Sequence, residues 1–305
     1  MHKAARLISS ANNLPPIHIQ LVGCNGVPGR VYQPLLQRLE NLGVHSTSFT
    51  EVHNIPHVED WSACIDKVVT DTIAERAAHP GVRVVGFGHS LGGALCYAAS
   101  TKAHPTCNET GVFDGVLLFD PPMFAVSTRL AILAAQLTGL INQWPLVKGA
   151  RRKPKHFPGG RAEAEAFVTS RRLYKSFHPE ILETFLSRGI ETNDAGVASF
   201  AFTPEQEAEF YATTPADLFA ATAVGQYDAS NCPGTLFYST RHAFLQARDV
   251  RFLGSAKGVR GPGSDEFGLV GLDLPHFHPL IDPDNTAKLI FSHARRLVER
   301  HDFAC

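Results

Sequence analysis

In Gly88-His89-Ser90-Leu91-Gly92-Gly93, Ser90 stands between two glycines, each two residues away. The preceding Val82-Arg83-Val84-Val85 reads as a buried strand, and the following Ala94-Leu95-Cys96-Tyr97-Ala98-Ala99 as a helix of mostly small residues. Strand, tight turn and helix is the context that presents a serine as a nucleophile. The turn holds the serine in a strained backbone conformation, and Gly88 and Gly92 let strand and helix approach closely. The hydroxyl then stands at the carboxyl end of a sheet. The N–H of Leu91, first of the helix, faces the place where negative charge would develop. The plain alternative is a glycine-rich strand-to-helix turn with no chemistry.

A serine nucleophile needs a base, an acid and a second oxyanion donor. Asp120 closes the strand Val112 to Phe119, nearly all apolar, and a carboxylate at the end of a buried strand is costly unless paired. It is therefore a candidate to orient a histidine, accepting from Nδ1–H; the competing reading is a turn starter before Pro121-Pro122. His276 and His278 lie after the last predicted strand, Phe267 to Asp273, where a histidine can reach Ser90 from the other side. His276 is preferred on loop position. Asp249 and Asp273 are the alternatives to Asp120. The turn Gly23-Cys24-Asn25-Gly26-Val27-Pro28-Gly29 follows the first core strand, Ile17 to Val22. It offers the N–H of Asn25, or of Cys24, as the second donor, or is simply a strand-to-helix turn. It contains neither phosphate-binding glycine pattern.

Histidines elsewhere raise the question of a metal. His53 and His57 in a loop, and His276-x-His278, lack the further ligands at suitable spacing that a zinc site needs, so the reading is no metal and no organic cofactor.

The elements that must position these residues alternate. Strand Ile17–Val22, helix 31–39, strand Val44–Phe49, a helix opened by Trp61, strand and elbow form a βαβ series, hence a mostly parallel sheet with helices on both faces. Residues 122–226 break the alternation. Helices are expected at Thr128–Asn142, Arg161–Phe177, Pro179–Arg188, Pro204–Tyr211 and Pro215–Ala223, an all-helical cap inserted between core segments 1–121 and 227–305. Thr203-Pro204-Glu205-Gln206 is a capping signal. The apolar stretch Leu130 to Ala135 is expected in the cap core, with an acyl pocket as the alternative. Arg151-Arg152-Lys153-Pro154-Lys155 reads as a solvated loop, and binding a coenzyme A phosphate is the weaker option. Thr235–Tyr238 is a further strand, Ala243–Val259 a helix, and Asp282-Pro283 starts the last helix.

The chain has 305 residues, 44% hydrophobic and 19% charged, enough for a large core. A net charge of −1 gives no global basic field for nucleic acid or anionic lipid. Six cysteines without a CxxC read as reduced, intracellular thiols. The first ten residues lack the apolar core of a signal peptide, and Leu130 to Ile141 is too short to span a bilayer, so a cytoplasmic location without membrane insertion is expected.

With these residues in place the chain resembles an α/β-hydrolase over nearly its whole length. Gly23-Cys24-Asn25-Gly26-Val27-Pro28 resembles the His-Ala-Asn-Gly-Phe-Pro loop of a bacterial subgroup, with Tyr32 where that subgroup often has Tyr. Phe119-Asp120-Pro121-Pro122 resembles its Leu-Asp-Pro-Pro, and His276-Phe277 with Leu280 and Pro283 resembles its ending. The order Ser, Asp, His agrees. Ser239 and His242 occupy the positions where such hydrolases most often carry their acid. The resemblance implies an α/β-hydrolase fold with Ser90 as nucleophile, His276 as base and Asp120 as acid. It implies a small-molecule acyl ester or thioester as substrate and an acyl-enzyme intermediate. Two departures stand out: Gly23 replaces the loop's His, and Pro275 replaces the Gly before the histidine. Carbon–carbon bond hydrolysis, cofactor-free peroxide chemistry and a non-catalytic binding protein are the other functions such a chain can serve.

Overall fold

A computed structural model describes residues 15–55, 57–102, 111–122, 124, 126–215, 232–241, 259–260 and 267–301. The strands are β1 (Ile17–Val22), β2 (Ser46–Thr50), β3 (Arg83–His89), β4 (Gly115–Phe119), β5 (Ile190–Thr192), β6 (Ala198–Phe200), β7 (Gly234–Ser239), β8 (Val259–Arg260) and β9 (Phe267–Leu272). The helices of the first part are α1 (Gln33–Asn41), α2 (Ser62–Ala78) and α3 (Leu91–Ser100). Those of the inserted segment are α4 (Val126–Leu137), α5 (Pro145–Arg151), α6 (Gly160–Ser170), α7 (Arg172–Lys175), α8 (Pro179–Arg188) and α9 (Pro204–Ala212); α10 (His278–Ile281) and α11 (Pro283–His301) follow β9.

Seven strands form one sheet in the order β2-β1-β3-β4-β7-β9-β8, every pair parallel. Its central strands are apolar on both faces, as a sheet covered on both sides requires. Ile19, Leu21, Phe87, Leu117 and Phe237 face α1 and α11, whereas Val22, Val84, Val116 and Leu236 face α2 and α3. The chain steps outward from β1 to β2 and then returns to β3 on the other side. The strand order therefore reverses between β1 and β3, and a crevice opens there beyond their carboxyl ends. The Gly23–Asn25 turn and Ser90 are the segments that leave those two ends.

Several sequence expectations are corrected. The inserted segment is not all helical: β5 and β6 form an antiparallel hairpin, with Gly196 at φ 79° in its turn. The helix expected over 128–142 ends at Leu137, because Gly139 enters the left-handed region at φ 72°, and a 3-10 turn Leu140–Gln143 follows. The helix expected over 161–177 breaks at Arg171, whose ψ of 134° is extended. Leu130 and Leu133 are 61% and 41% exposed rather than packed in a core, while the neighbouring Ile132 is buried. Val259 belongs to β8 and not to the end of a helix. The helices expected at 215–223 and 243–259 otherwise lie outside the described residues. Pro179–Arg188 is helical over the expected span, and Thr203 and Gln206 close a reciprocal capping box at the start of α9. No helix among the described residues is long and apolar enough to cross a membrane.

Candidate active site

Ser90 has φ 54° and ψ −116°, a conformation that L residues rarely adopt. The glycines explain how the turn is held. A Cβ on Gly88 would lie 2.3 Å from the Gly92 carbonyl oxygen, and one on Gly92 would lie 2.0 Å from that of Val22. Neither position accepts another residue without moving backbone. Ser90 N–H donates to the Phe119 carbonyl at 2.8 Å, and Gly92 N–H to the Gly23 carbonyl at 3.1 Å. The elbow is thereby tied to both neighbouring strand ends.

Asp120 is the other non-glycine residue with positive φ among the described residues, at 44°. It is fully buried, so its charge must be compensated. Oδ1 accepts the Ser239 N–H at 3.2 Å, and Oδ2 lies 2.6 Å from His276 Nδ1. Its own N–H donates to the Phe237 carbonyl at 2.7 Å. Ser239 thus supports Asp120, and its hydroxyl donates to the Leu274 carbonyl at 2.6 Å, fixing the start of the loop that carries His276.

The competing residues are elsewhere. His278 opens α10 with its ring stacked on Phe119 at 6.3 Å; among the described residues no carboxylate lies within hydrogen-bond distance of it, and burial lowers its pKa. Asp273 makes a two-point ion pair with Arg241 on the surface, at 2.6 and 3.0 Å. Asp249 and His242 lie outside the described residues. His53 pairs with Glu51 at 2.8 Å, and His57 is 82% exposed, so they do not converge.

The loop after β1 discriminates between its two candidate donors. Cys24 N–H is spent on the Tyr32 hydroxyl oxygen at 3.1 Å. Asn25 N–H donates to no acceptor among the described residues, and neither does Leu91 N–H, which as the first residue of α3 has no intrahelical partner. A Cβ on Gly23 would sit 3.0 Å from the Tyr32 ring, so glycine there makes room for the tyrosine that holds the loop. Glu207 of α9 braces the same loop: its carbonyl accepts from Asn25 Nδ2 at 3.0 Å, and its carboxylate pairs with Lys153. Two members of the basic cluster are occupied in this way, since Lys155 pairs with Glu205 at 2.9 Å.

Asn25, Ser90 and Leu91 line a cleft whose empty space, open solvent at its mouth included, is about 490 Å³. Trp61, Ile132, Trp144, Leu146 and Phe210 supply apolar walls, four of the five from the inserted segment. Apolar walls around a few convergent polar atoms suit an apolar ligand with one polar reacting group. The contributions of Tyr32, Ser239 and Glu207 were beyond sequence reading. Tyr32 left a trace as the tyrosine that follows the glycine turn, and Ser239 as the residue standing where such hydrolases most often carry their acid.

No protein-family model and no curated protein matches the sequence. Solved structures do. The peroxisomal α/β-hydrolase Lpx1 of Saccharomyces cerevisiae aligns with a TM-score of 0.63 at 15% identity, covering 95% of this chain and 79% of that one. E-2-(acetamidomethylene)succinate hydrolase gives 0.57 at 14% identity over 91% and 90%. The thioesterase domain from the curacin biosynthetic pathway gives 0.55 at 15% identity over 91% of each chain. Parallel sheet, elbow and these likenesses together establish that the chain has the α/β-hydrolase fold.

Proposed function

We propose that the protein is a serine hydrolase acting on a carboxylic ester or thioester with an apolar acyl group, through Ser90, His276 and Asp120. The observation that carries this reading is the Asp120–His276 pair at 2.6 Å, its carboxylate buried, with Ser90 held at positive φ and bonded through its N–H to the carbonyl of Phe119, the residue before Asp120. Residues 122–226 act as a cap that, together with Trp61, supplies the acyl walls.

Ser90 Oγ attacks the carbonyl carbon as its proton passes to His276 Nε2. Asp120 Oδ2 holds the proton on Nδ1 and stabilises the imidazolium. The N–H groups of Leu91 and Asn25 receive the oxyanion; loss of one such donor typically costs about 2.7–4 kcal/mol of transition-state stabilisation. The tetrahedral intermediate collapses, the C–O or C–S bond breaks, and His276 returns the proton to the leaving alcohol or thiol. Water then attacks the acyl-enzyme, giving up a proton to His276, and the carboxylic acid leaves with Ser90 restored.

Labelling by a fluorophosphonate probe tests the reading. Wild type is expected to label and Ser90→Ala not to, at equal melting temperature. A folded wild type that does not label would instead favour a binding protein. A series of esters and thioesters of rising acyl length then identifies the substrate class.

A further inference from the structure

At the amino ends of the strands, opposite the end that carries Ser90, three donor atoms gather around one point. Glu75 and His79 are four residues apart, at and just beyond the last turn of α2, and therefore share a face. His18, second residue of β1, points toward them from beneath and is buried. Glu75 Oε2 lies 3.7 Å from His18 Nε2 and 3.6 Å from His79 Nε2, and the three donor atoms are all within 4.8 Å of one another.

These separations are too long for hydrogen bonds. They are near the spacing of ligands around a shared ion, since metal–donor bonds of about 2.0–2.1 Å in tetrahedral geometry put donors about 3.3 Å apart. Among the described residues Glu75 pairs with no Lys or Arg; its partners are the two histidines. His18 also has the outer support expected of a ligand. Ser46 Oγ lies 2.8 Å from its Nδ1, which fixes the ring and leaves Nε2 toward Glu75. Ser48 Oγ lies 2.9 Å from Nε2 and is the group an ion would displace. The rings of His18 and His79 stack at 5.3 Å, and the exposed His45 packs edge-on against His79 at 5.9 Å. Glu75 and His79 are partly exposed, which gives an ion a path from solvent.

We infer that His18, Glu75 and His79 form a binding site for a divalent transition-metal ion of the zinc type. Two imidazoles and one carboxylate select such an ion over calcium or magnesium, which prefer all-oxygen shells. The site is structural. His18 is in register with Val84, and Ser90 lies six residues further on, about 20 Å along the strands. A bound ion would clamp the carboxyl end of α2 onto β1 and β2.

The test is titration of chelator-treated full-length protein with Co²⁺ and Zn²⁺, read by the visible d–d spectrum, equilibrium dialysis and melting temperature. One equivalent of Co²⁺ is expected to give a ligand-field band that Zn²⁺ bleaches, with a melting temperature that rises with metal concentration. His79→Ala and Glu75→Gln, both at partly exposed positions, are expected to fold and to lose the band, the bound equivalent and the thermal shift. Fluorophosphonate labelling of Ser90 is expected to be the same in these variants, so the site stands or falls apart from the proposed hydrolase. Absence of binding at micromolar metal, or binding that survives both substitutions, overturns it.

Discussion

His89 Nε2 donates to the carbonyl oxygen of His276 at 2.8 Å, so the residue before the proposed nucleophile holds the backbone of the proposed base. A carbonyl only accepts, which places the ring proton on Nε2 and leaves Nδ1 as an acceptor. Nδ1 lies 2.7 Å from the Tyr32 hydroxyl, which must then donate to it and accept from Cys24 N–H. Every proton in this chain has a fixed direction. It runs from the loop after β1 through the elbow to the histidine loop, buried as far as His89 and part-buried at the His276 carbonyl. Tyr32 and His89 thus tie three loops together, and on the proposed function they are positioning residues.

Cutting the chain at either end has different consequences. Tyr32→Phe leaves Cys24 N–H without its acceptor and is expected to lower kcat about tenfold to a hundredfold, with KM little changed and a stability loss of about 1–2 kcal/mol. His89→Gln keeps an N–H donor for the His276 carbonyl and is expected to lose less kcat than His89→Ala. Steady-state kinetics beside denaturant melts separate the two effects. Equal kcat in all three variants would remove the positioning role.

The same chain makes stability pH-dependent. Burial, helped by the nearby His276 and His278, holds the His89 pKa well below 6.5, and burial also lowers that of His278. Below about pH 6.5 the unfolded chain therefore binds protons that the folded chain refuses. The contribution is complete above pH 6.5 and is lost as pH falls toward the depressed folded values, at up to about 1.4 kcal/mol per pH unit for each such histidine. Urea midpoints are expected to be level between pH 7 and 8 and to fall from pH 6.5 to 5. His89→Gln should fall less steeply, and an unchanged slope would mean that His89 does not contribute.

Asp120→Asn addresses the acid. Asparagine keeps the shape but can present its amide to His276 Nδ1 and reverse the tautomer, so kcat is expected to drop about 10³–10⁴-fold with the fold retained. Asp273→Asn is the matched control: it breaks only a surface pair with Arg241 and should leave kcat unchanged. Ester turnover and melting temperature of both variants check this. A near-normal kcat in Asp120→Asn would move the acid role elsewhere.

What could be read in advance follows from range. Gly88, Ser90 and Gly92 are close in sequence and speak through local sterics, and Asp120 betrays itself as a charge at the end of an apolar run. The sheet is legible because apolar strands and amphipathic helices alternate. The hairpin β5–β6 is not, since three-residue strands are too short to show alternation. Nor is the bracing of Asn25 by Glu207, which joins residues 182 apart. The α4 segment misleads for a physical reason: its apolar run covers a cleft rather than filling a core, so Ile132 is buried while Leu130, Leu133 and Leu137 remain exposed.

On the proposed function, that arrangement makes Ile132 a position at which acyl chain-length preference can be altered. It lines the cleft together with Trp144 and Leu146, whereas neither Asp120 nor His276 is among the cleft's lining residues. Ile132→Trp would fill space that an acyl chain otherwise occupies, while short acyl groups still reach Ser90. Each methylene that loses its buried site forfeits about 0.8 kcal/mol, or roughly fourfold in kcat/KM. Measured over acetyl to decanoyl esters, kcat/KM is expected to rise with chain length in wild type and to flatten after the first few carbons in the variant. Acetyl ester turnover should stay within about twofold. A parallel loss at every length would show that the substitution disturbs the elbow, and an unchanged profile would place the acyl chain outside this cleft.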